Sequence, residues 1–184
     1  MVSHSIAQDY IQYYLRKNNF TWGPDRRATV IELAMRCIGD EFEEHQGPRA
    51  DYLMLEMDDQ IIRAFYHVTS ELFNDGHVNW GRIVTIFVFA ARLSLYCFRN
   101  NMPHAVDNIV DCLTDCMDNT LGDWMTDNHG WNGFLEFANL DVKSLNMKAR
   151  RSVLKTLSYY AGVGVLTVAS MFAYVEVLSL LNMT

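Results

Sequence analysis

The sequence predicts an all-α protein in which one hydrophobic helix is surrounded by amphipathic helices. Only three prolines and ten glycines interrupt 184 residues, half of them hydrophobic, so long helices and one sizeable core are expected. Apolar residues recur at spacings of three and four in several segments, which is the period of an α-helix. The segment 83–98 is apolar except for Thr85, Arg92 and Ser94, as expected of a helix that is buried on all sides.

Three amphipathic helices are predicted before this buried segment. Ser5 and Gln8 match a capping box, which predicts the start of the first helix. The second helix is predicted to begin near Asp25 and to end at Pro48. A short element is predicted at 52–57, and a third helix follows it. The apolar stripes of the second and third helices are Ile31, Met35, Ile38 and Phe42, and Ile61, Phe65, Val68 and Leu72.

The rest of the body is also predicted to be helical. The buried helix is expected at 79–98, and Pro103 opens the next one. Short helices near Trp124 and Trp131 complete the body, and with Trp80 these tryptophans are interpreted as core anchors. The inward face of the helix after Pro103 comprises Val106, Ile109, Val110, Leu113, Met117 and Leu121, and its outward face Asp107, Asp111, Asp115 and Asp118.

Charge divides the chain into an acidic body and a basic, then apolar, C-terminal part. Residues 1–142 carry 10 basic and 21 acidic side chains, whereas 143–184 carry 5 and 1. The acidic body argues against nucleic acid as a partner, because phosphates would be repelled. Three regions are therefore predicted: a helical domain at 1–142, a basic linker at 143–155 and a C-terminal membrane anchor at 156–181.

The anchor prediction depends on the uncharged run from Thr156 to Val175. Its twenty residues would span roughly 30 Å as a helix, which matches the hydrocarbon core of a bilayer. Basic residues before the run favour a cytoplasmic flank, as in a tail-anchored protein. The alternative is a core helix folded back onto the domain, since Gly162 and Gly164 make the run only moderately apolar.

Enzymatic motifs are missing from the sequence. It contains no Gly-rich phosphate loop, metal triad or nucleophile elbow, and its six histidines are scattered. The four cysteines lie in helical patterns without finger-like spacing, which favours thiols in a reducing compartment. We therefore expect a protein that is not an enzyme and that has no cofactor and no metal site.

Several short motifs resemble one protein family. The tetrapeptide Asn79-Trp80-Gly81-Arg82 resembles the first homology region of the Bcl (B-cell lymphoma-two) family of apoptosis regulators. Segments 124–134 and 31–42 are similar to its second and third (BH3) regions, and the N-terminal helix is similar to the fourth. His129 stands where family members usually have a glycine. The BH3-like segment contains Ile31, Met35, Ile38, Gly39, Asp40 and Phe42.

The resemblance implies a Bcl-like helical bundle with a surface groove and a C-terminal tail helix. The groove would take up the BH3 helix of another protein, by apolar anchors entering apolar pockets. Arg82 would pair with the aspartate of that helix; from the residues alone, an internal bridge to Asp75 or Glu71 is equally expected. The implied groove residues are Phe42, Val68, Leu72, Asn79, Gly81, Arg82, Thr85 and Phe89.

Two functions are compatible with the resemblance. The favoured one is a survival protein that binds BH3 helices of pro-apoptotic relatives. The alternative is an executioner that oligomerises and permeabilises the outer mitochondrial membrane. In both cases the tail would place the protein on the cytoplasmic face of the outer mitochondrial membrane or of the endoplasmic reticulum. Fold alone does not choose between them.

Overall fold

The structure, a computed structural model, describes residues 2–46 and 58–138. Within these two ranges the chain forms seven α-helices and no strand. They are α1 (Val2–Lys17), α2 (Val30–Gln46), α3 (Asp58–Phe73), α4 (Trp80–Arg99), α5 (Ala105–Asp115), α6 (Gly122–Asp127) and α7 (Gly130–Phe137). A π-helical turn, Cys116–Thr120, joins α5 to α6. The predicted all-α class is confirmed.

Helix α4 is the centre of the fold. Sixteen of its twenty residues are buried, and it packs against α1, α2, α3 and α5. The buried hydroxyl groups of α4 form hydrogen bonds within the helix. Those of Thr85 and Ser94 donate to the carbonyls of Gly81 and Ala90 at 2.9 and 2.8 Å. In the described ranges α4 alone is long and apolar enough to cross a membrane, but 83% of that stretch is buried inside the protein. It is therefore a core helix.

The amphipathic helices bury the faces that their sequence periods predict. On α2 the side chains of Met35, Ile38 and Phe42 are buried and Ile31 is partly buried; on α3 the whole predicted stripe is buried. The inward face of the α5 region is buried to Leu121, whereas Asp107, Asp111 and Asp118 are exposed and Asp115 is half-buried. Burial of these stripes around α4 provides the main driving force for folding.

Two predicted helix starts are wrong. Helix α1 begins at Val2, so Ser5 lies inside it, and its hydroxyl donates to Glu32 at 2.7 Å. Helix α2 begins at Val30, because Thr29 and Glu32 form the capping box: the Thr29 N–H donates to Glu32 Oε2 at 2.7 Å, and the Glu32 N–H to Thr29 Oγ1 at 3.4 Å. Helix α5 starts two residues after Pro103.

Three predicted segments lie outside the described residues. They are the short element at 52–57, the basic linker at 143–155 and the membrane anchor at 156–181. The domain boundaries accordingly remain predictions.

Candidate functional site

The corner between α3 and α4 is built by a short polar turn. Asp75 Oδ1 accepts the His77 N–H at 3.0 Å, and Gly76 adopts a left-handed φ of +71°, which glycine adopts without strain. Asn79 then caps α4 with its Oδ1, which accepts the Arg82 N–H at 2.9 Å. These bonds bring Arg82 back under the end of α3.

The guanidinium of Arg82 is buried and bonded to four acceptors. It holds the Asp75 carboxylate with both terminal nitrogens, at 2.5 Å from Nη1 and 2.6 Å from Nη2. Nη1 also donates to the carbonyls of Leu72 at 2.9 Å and His77 at 2.6 Å. Of the two internal bridges expected from the sequence, the one to Asp75 is therefore present. These acceptors offset the unfavourable dipole at the start of α4.

Electrostatics favour this ion pair in the isolated protein. Hydrogen bonding from Arg82 holds the pKa of the Asp75 carboxyl well below its usual range. The same bond raises the pKa of Arg82 above its ordinary value. A two-pronged bond between guanidinium and carboxylate has the geometry that arginine's planar fork prefers. Both groups are consequently charged at neutral pH.

The other predicted groove residues lie on the facing stripes of α3 and α4. Val68 and Leu72 on α3 are each 1% exposed, and Thr85 and Phe89 on α4 are each 2% exposed. Phe65 and Phe89 place their ring centroids 6.3 Å apart across the two helices. Gly81 is buried in the first turn of α4, and Phe42 on α2 belongs to the same core cluster. Their role in binding a partner stays a prediction.

The BH3-like segment of this chain is held against α1 and α4. Its aspartate, Asp40, accepts hydrogen bonds from Lys17 Nζ at 2.6 Å and from the Tyr13 hydroxyl. Gly39 faces Tyr10 at close range. In this conformation the apolar side of α2 is thus buried in the core, and Asp40 is hydrogen-bonded to α1.

Sequence reasoning gave Arg92 no partner, and the structure supplies one. Arg92 Nε donates to Glu43 Oε1 at 3.0 Å, and the Tyr14 hydroxyl donates to the same oxygen at 2.9 Å. Arg92 and Glu43 are 14% and 17% exposed. The pair joins α4 to α2 and gives Arg92, midway along the central helix, a counter-ion.

A second polar network, also missed from the sequence, joins α1 to α2. Arg36 holds the buried carboxylate of Asp9 at 2.8 and 2.7 Å. Arg26 holds the buried carboxylate of Glu32 at 2.6 and 3.0 Å. Burial alone raises the pKa of Glu32, but hydrogen bonds from Arg26, Thr29 and Ser5 outweigh it and lower the pKa to about 2. Glu32 therefore stabilises the α1–α2 contact in its charged form.

The segments that resemble the first and second homology regions pack on each other through aromatic rings. The Trp80 ring lies 5.0 Å from that of Trp124 and 5.5 Å from that of Phe134. Trp131 donates its indole N–H to Ser3 Oγ at 3.1 Å. Trp80 and Trp131 are buried, and Trp124 is partly buried against the same core, so their interpretation as core anchors is confirmed. His129 adopts the left-handed φ of +62° where the family usually has glycine.

The described ranges offer little for metal chemistry. No group of three or more histidine, cysteine or acidic side chains is placed there to hold a metal ion. All four cysteines lie in these ranges, and none forms a disulfide. The notable chemistry of the site is thus a buried guanidinium beside two apolar helix faces.

Comparison with known proteins gives a consistent set of relatives. Residues 35–131 match the family described as apoptosis regulator proteins, Bcl-2 family. The chain is 35% identical to apoptosis regulator R1 of Xenopus laevis over 141 residues, which cover 72% of this chain and 60% of R1. It is 27% identical to the human Bcl-2-related ovarian killer protein over 145 residues, covering 72% and 68%. The chain therefore spans about three fifths of the length of R1.

Among solved structures, the fold is similar to that of Trichoplax adhaerens trBcl-2L2 in its crystal structure bound to trBak BH3. The TM-score is 0.65 at 29% sequence identity, over 73% of this chain and 95% of that chain.

Proposed function

Because the chain belongs to the Bcl-2 family of apoptosis regulators, we propose that it inhibits cell death by binding the BH3 helices of pro-apoptotic relatives. The observation that carries this proposal is the likeness to trBcl-2L2, whose structure holds a BH3 segment and of which this chain covers 95%. A binding role also fits a family of regulators better than catalysis does.

The proposed binding surface is formed by the facing stripes of α3 and α4. Val68 and Leu72 from one side, and Thr85 and Phe89 from the other, would contact the apolar anchors of the incoming helix. Arg82, at the corner, would meet its aspartate. These side chains are buried in the present conformation, so an incoming helix must displace the neighbours that cover them.

The proposed location is a membrane surface facing the cytoplasm. The C-terminal run 156–181, preceded by the basic linker 143–155, would anchor the protein in the outer mitochondrial membrane or the endoplasmic reticulum. Anchoring would hold the BH3-binding surface near partners on the same membrane. This part of the proposal rests on sequence alone.

The second candidate is an executioner that permeabilises the outer mitochondrial membrane. It is favoured by the similarity to a relative named as a killer protein, which covers the same share of this chain as R1 does. Exposing the protein's own BH3-like segment would break the bonds of Asp40 to Lys17 and of Arg36 to Asp9. Those contacts oppose release of α2 and weigh toward the survival role.

A release assay separates the two candidates. The full-length protein is added to isolated mitochondria together with a BH3 activator peptide, and release of intermembrane-space protein is measured. A survival protein reduces the release caused by the activator, whereas an executioner increases it. Arg82→Ala should lose the protective effect, and Arg27→Ala, which removes an exposed arginine before α2, should keep it.

A further inference from the structure

We propose that Asp75 is a built-in competitor for Arg82 that lowers the affinity of this protein for partner helices carrying an aspartate. The inference rests on the proposed function, because it concerns the same binding surface. It differs from that function in assigning a role to a residue of this chain that does not have to touch the partner. Asp75 would thereby set which helices bind tightly.

The geometry of the Arg82–Asp75 pair leaves few N–H donors of Arg82 for a second carboxylate. Asp75 occupies the edge of the guanidinium formed by Nη1 and Nη2. The carbonyls of Leu72 and His77 share the hydrogens of Nη1 with it. Arginine has five N–H donors in a rigid fork, so a second carboxylate must either accept the remaining Nε edge or displace Asp75.

The exposure of the two partners shows which one can leave. The Arg82 side chain is 7% exposed, whereas that of Asp75 is 48% exposed. Asp75 can therefore swing into water and be solvated there, while the buried cation would be left without its counter-ion. This asymmetry makes Asp75 an exchangeable partner that keeps Arg82 paired until a ligand carboxylate replaces it.

Replacement of Asp75 on Arg82 reduces the binding free energy that an aspartate of the partner helix contributes. The ligand obtains only the difference between its own pairing with Arg82 and the pairing that Asp75 gives up. A helix without an aspartate at that position has no such exchange to make. Neutralising Asp75 should consequently strengthen binding of aspartate-bearing helices and leave other helices nearly unaffected.

Asparagine is the appropriate replacement, because it keeps the turn. Asp75 Oδ1 accepts the His77 N–H at 3.0 Å, and an asparagine side chain makes the same turn without the charge. Asp127→Asn is the matched control, since Asp127 is an exposed acid at the end of α6. Asp75→Ser, which also keeps an oxygen for the turn, is the second variant should Asp75→Asn melt below the assay temperature.

The test is a titration of the full-length protein with the Bak BH3 peptide of Trichoplax adhaerens, and with the same peptide carrying alanine for its aspartate. We expect Asp75→Asn to bind the aspartate peptide about tenfold more tightly than the unaltered protein does. The alanine peptide should bind both proteins within about twofold, and Asp127→Asn should change neither affinity.

Two results would overturn the inference while leaving the proposed function intact. One is unchanged affinity of Asp75→Asn for the aspartate peptide. The other is weaker binding of both peptides by Asp75→Asn, which would mean that Asp75 only stabilises the turn between α3 and α4. Failure of both peptides to bind any folded variant, the unaltered protein included, would overturn the proposed function together with the inference.

Discussion

Gly39 on α2 lies directly against the side chain of Tyr10 on α1. A Cβ atom on Gly39 would come within 2.2 Å of the Tyr10 hydroxyl oxygen and 2.6 Å of its ring carbons. Tyr10 is 1% exposed, and its ring packs edge-on against Phe87 of α4 with centroids 6.1 Å apart. The glycine of the BH3-like segment thus allows three helices to meet.

The first prediction is that Gly39→Ala destabilises the protein by about 1–3 kcal/mol, the usual cost of an overpacked core. Tyr10 cannot retreat easily because Phe87 lies behind it. Urea unfolding measures the change. Gly122→Ala is the control, since a Cβ at Gly122 meets nothing within 4 Å. Equal free energies of unfolding for the two variants would show that α1 and α2 are not this close.

The second prediction concerns stability at acidic pH. The pKa of Glu32 is lowered from 4.5 to about 2 in the folded protein. A lowered carboxyl pKa stabilises the folded state above the unfolded-state pKa, and this contribution is lost as the pH falls toward the folded-state value. For Glu32 the contribution is roughly 3 kcal/mol, and it should disappear between about pH 5 and pH 2.

Glu32→Gln isolates this contribution, because glutamine has a similar shape and no titrating proton. At pH 7 the variant should unfold more easily than the unaltered protein, and the difference should shrink as the pH approaches 2. Glu44→Gln, at an exposed position of the same helix, controls for general charge effects. A difference that stays constant from pH 7 to pH 2 would rule out the Arg26–Glu32 pair as its source.

The third prediction is that His129→Gly raises the stability by up to about 1 kcal/mol. A left-handed residue other than glycine costs roughly 1–2 kcal/mol, and His129 has a φ of +62°. Replacing the histidine by glycine relieves this strain, but the greater chain entropy of glycine in the unfolded state offsets about 0.5–1 kcal/mol of the stabilisation. Thermal unfolding measures the change in stability. Asn101→Gly is the control, since Asn101 also has a left-handed φ, of +60°.

Asparagine adopts the left-handed region more readily than most residues, because its short side chain can form local hydrogen bonds, so Asn101→Gly should give little or no gain. A lower melting temperature for His129→Gly would mean that the histidine side chain makes a contribution larger than its backbone strain. Its weak pairing with Glu136, at 3.6 Å between two exposed groups, is too small for that.

The fold could be predicted from local patterns, whereas the polar contacts could not. The apolar stripe of α3 and the continuous apolar run of α4 each specify a helix and its buried face within one segment. The Arg92–Glu43 pair joins residues 49 positions apart, and nothing near either residue indicates the other. The start of α2 differs from the prediction for a local reason, since the capping box is formed by Thr29 and Glu32.

The site illustrates the same limit. The sequence identified Arg82 and offered Asp75 and Glu71, on the same surface, as its two internal partners. Choosing Asp75 required the path of the turn, where Gly76 has a φ of +71° and brings the carboxylate to the guanidinium. The four acceptors around Arg82 include two backbone carbonyl groups. Every residue has such a group, so the residue types cannot indicate these two bonds.

The fourth prediction concerns the C-terminal run. A chain truncated before Lys155 should lose membrane association, because the run of twenty uncharged residues follows this position. It should still bind BH3 peptide, since the α3 and α4 surfaces remain. Fractionation of cells expressing each form measures the effect, and membrane pelleting that survives truncation would refute the anchor.

The pairing of Arg82 with a partner's aspartate is the central claim, and it can be measured by a double-mutant cycle. Arg82→Ala should weaken binding of the Bak BH3 peptide about 30-fold, because truncating one member of a shielded charge pair costs roughly 2 kcal/mol or more. Since Arg82 is buried with four acceptors, its variant must first be shown to stay folded at the assay temperature. Arg27→Ala is the charge-matched control.

The decisive measurement is the affinity of Arg82→Ala for the peptide whose aspartate is replaced by alanine. If the two groups meet, this affinity should be close to that of either single change, so that the two losses are far from additive. Additive losses would contradict the account, because they would mean that Arg82 and the aspartate of the partner helix never form a pair.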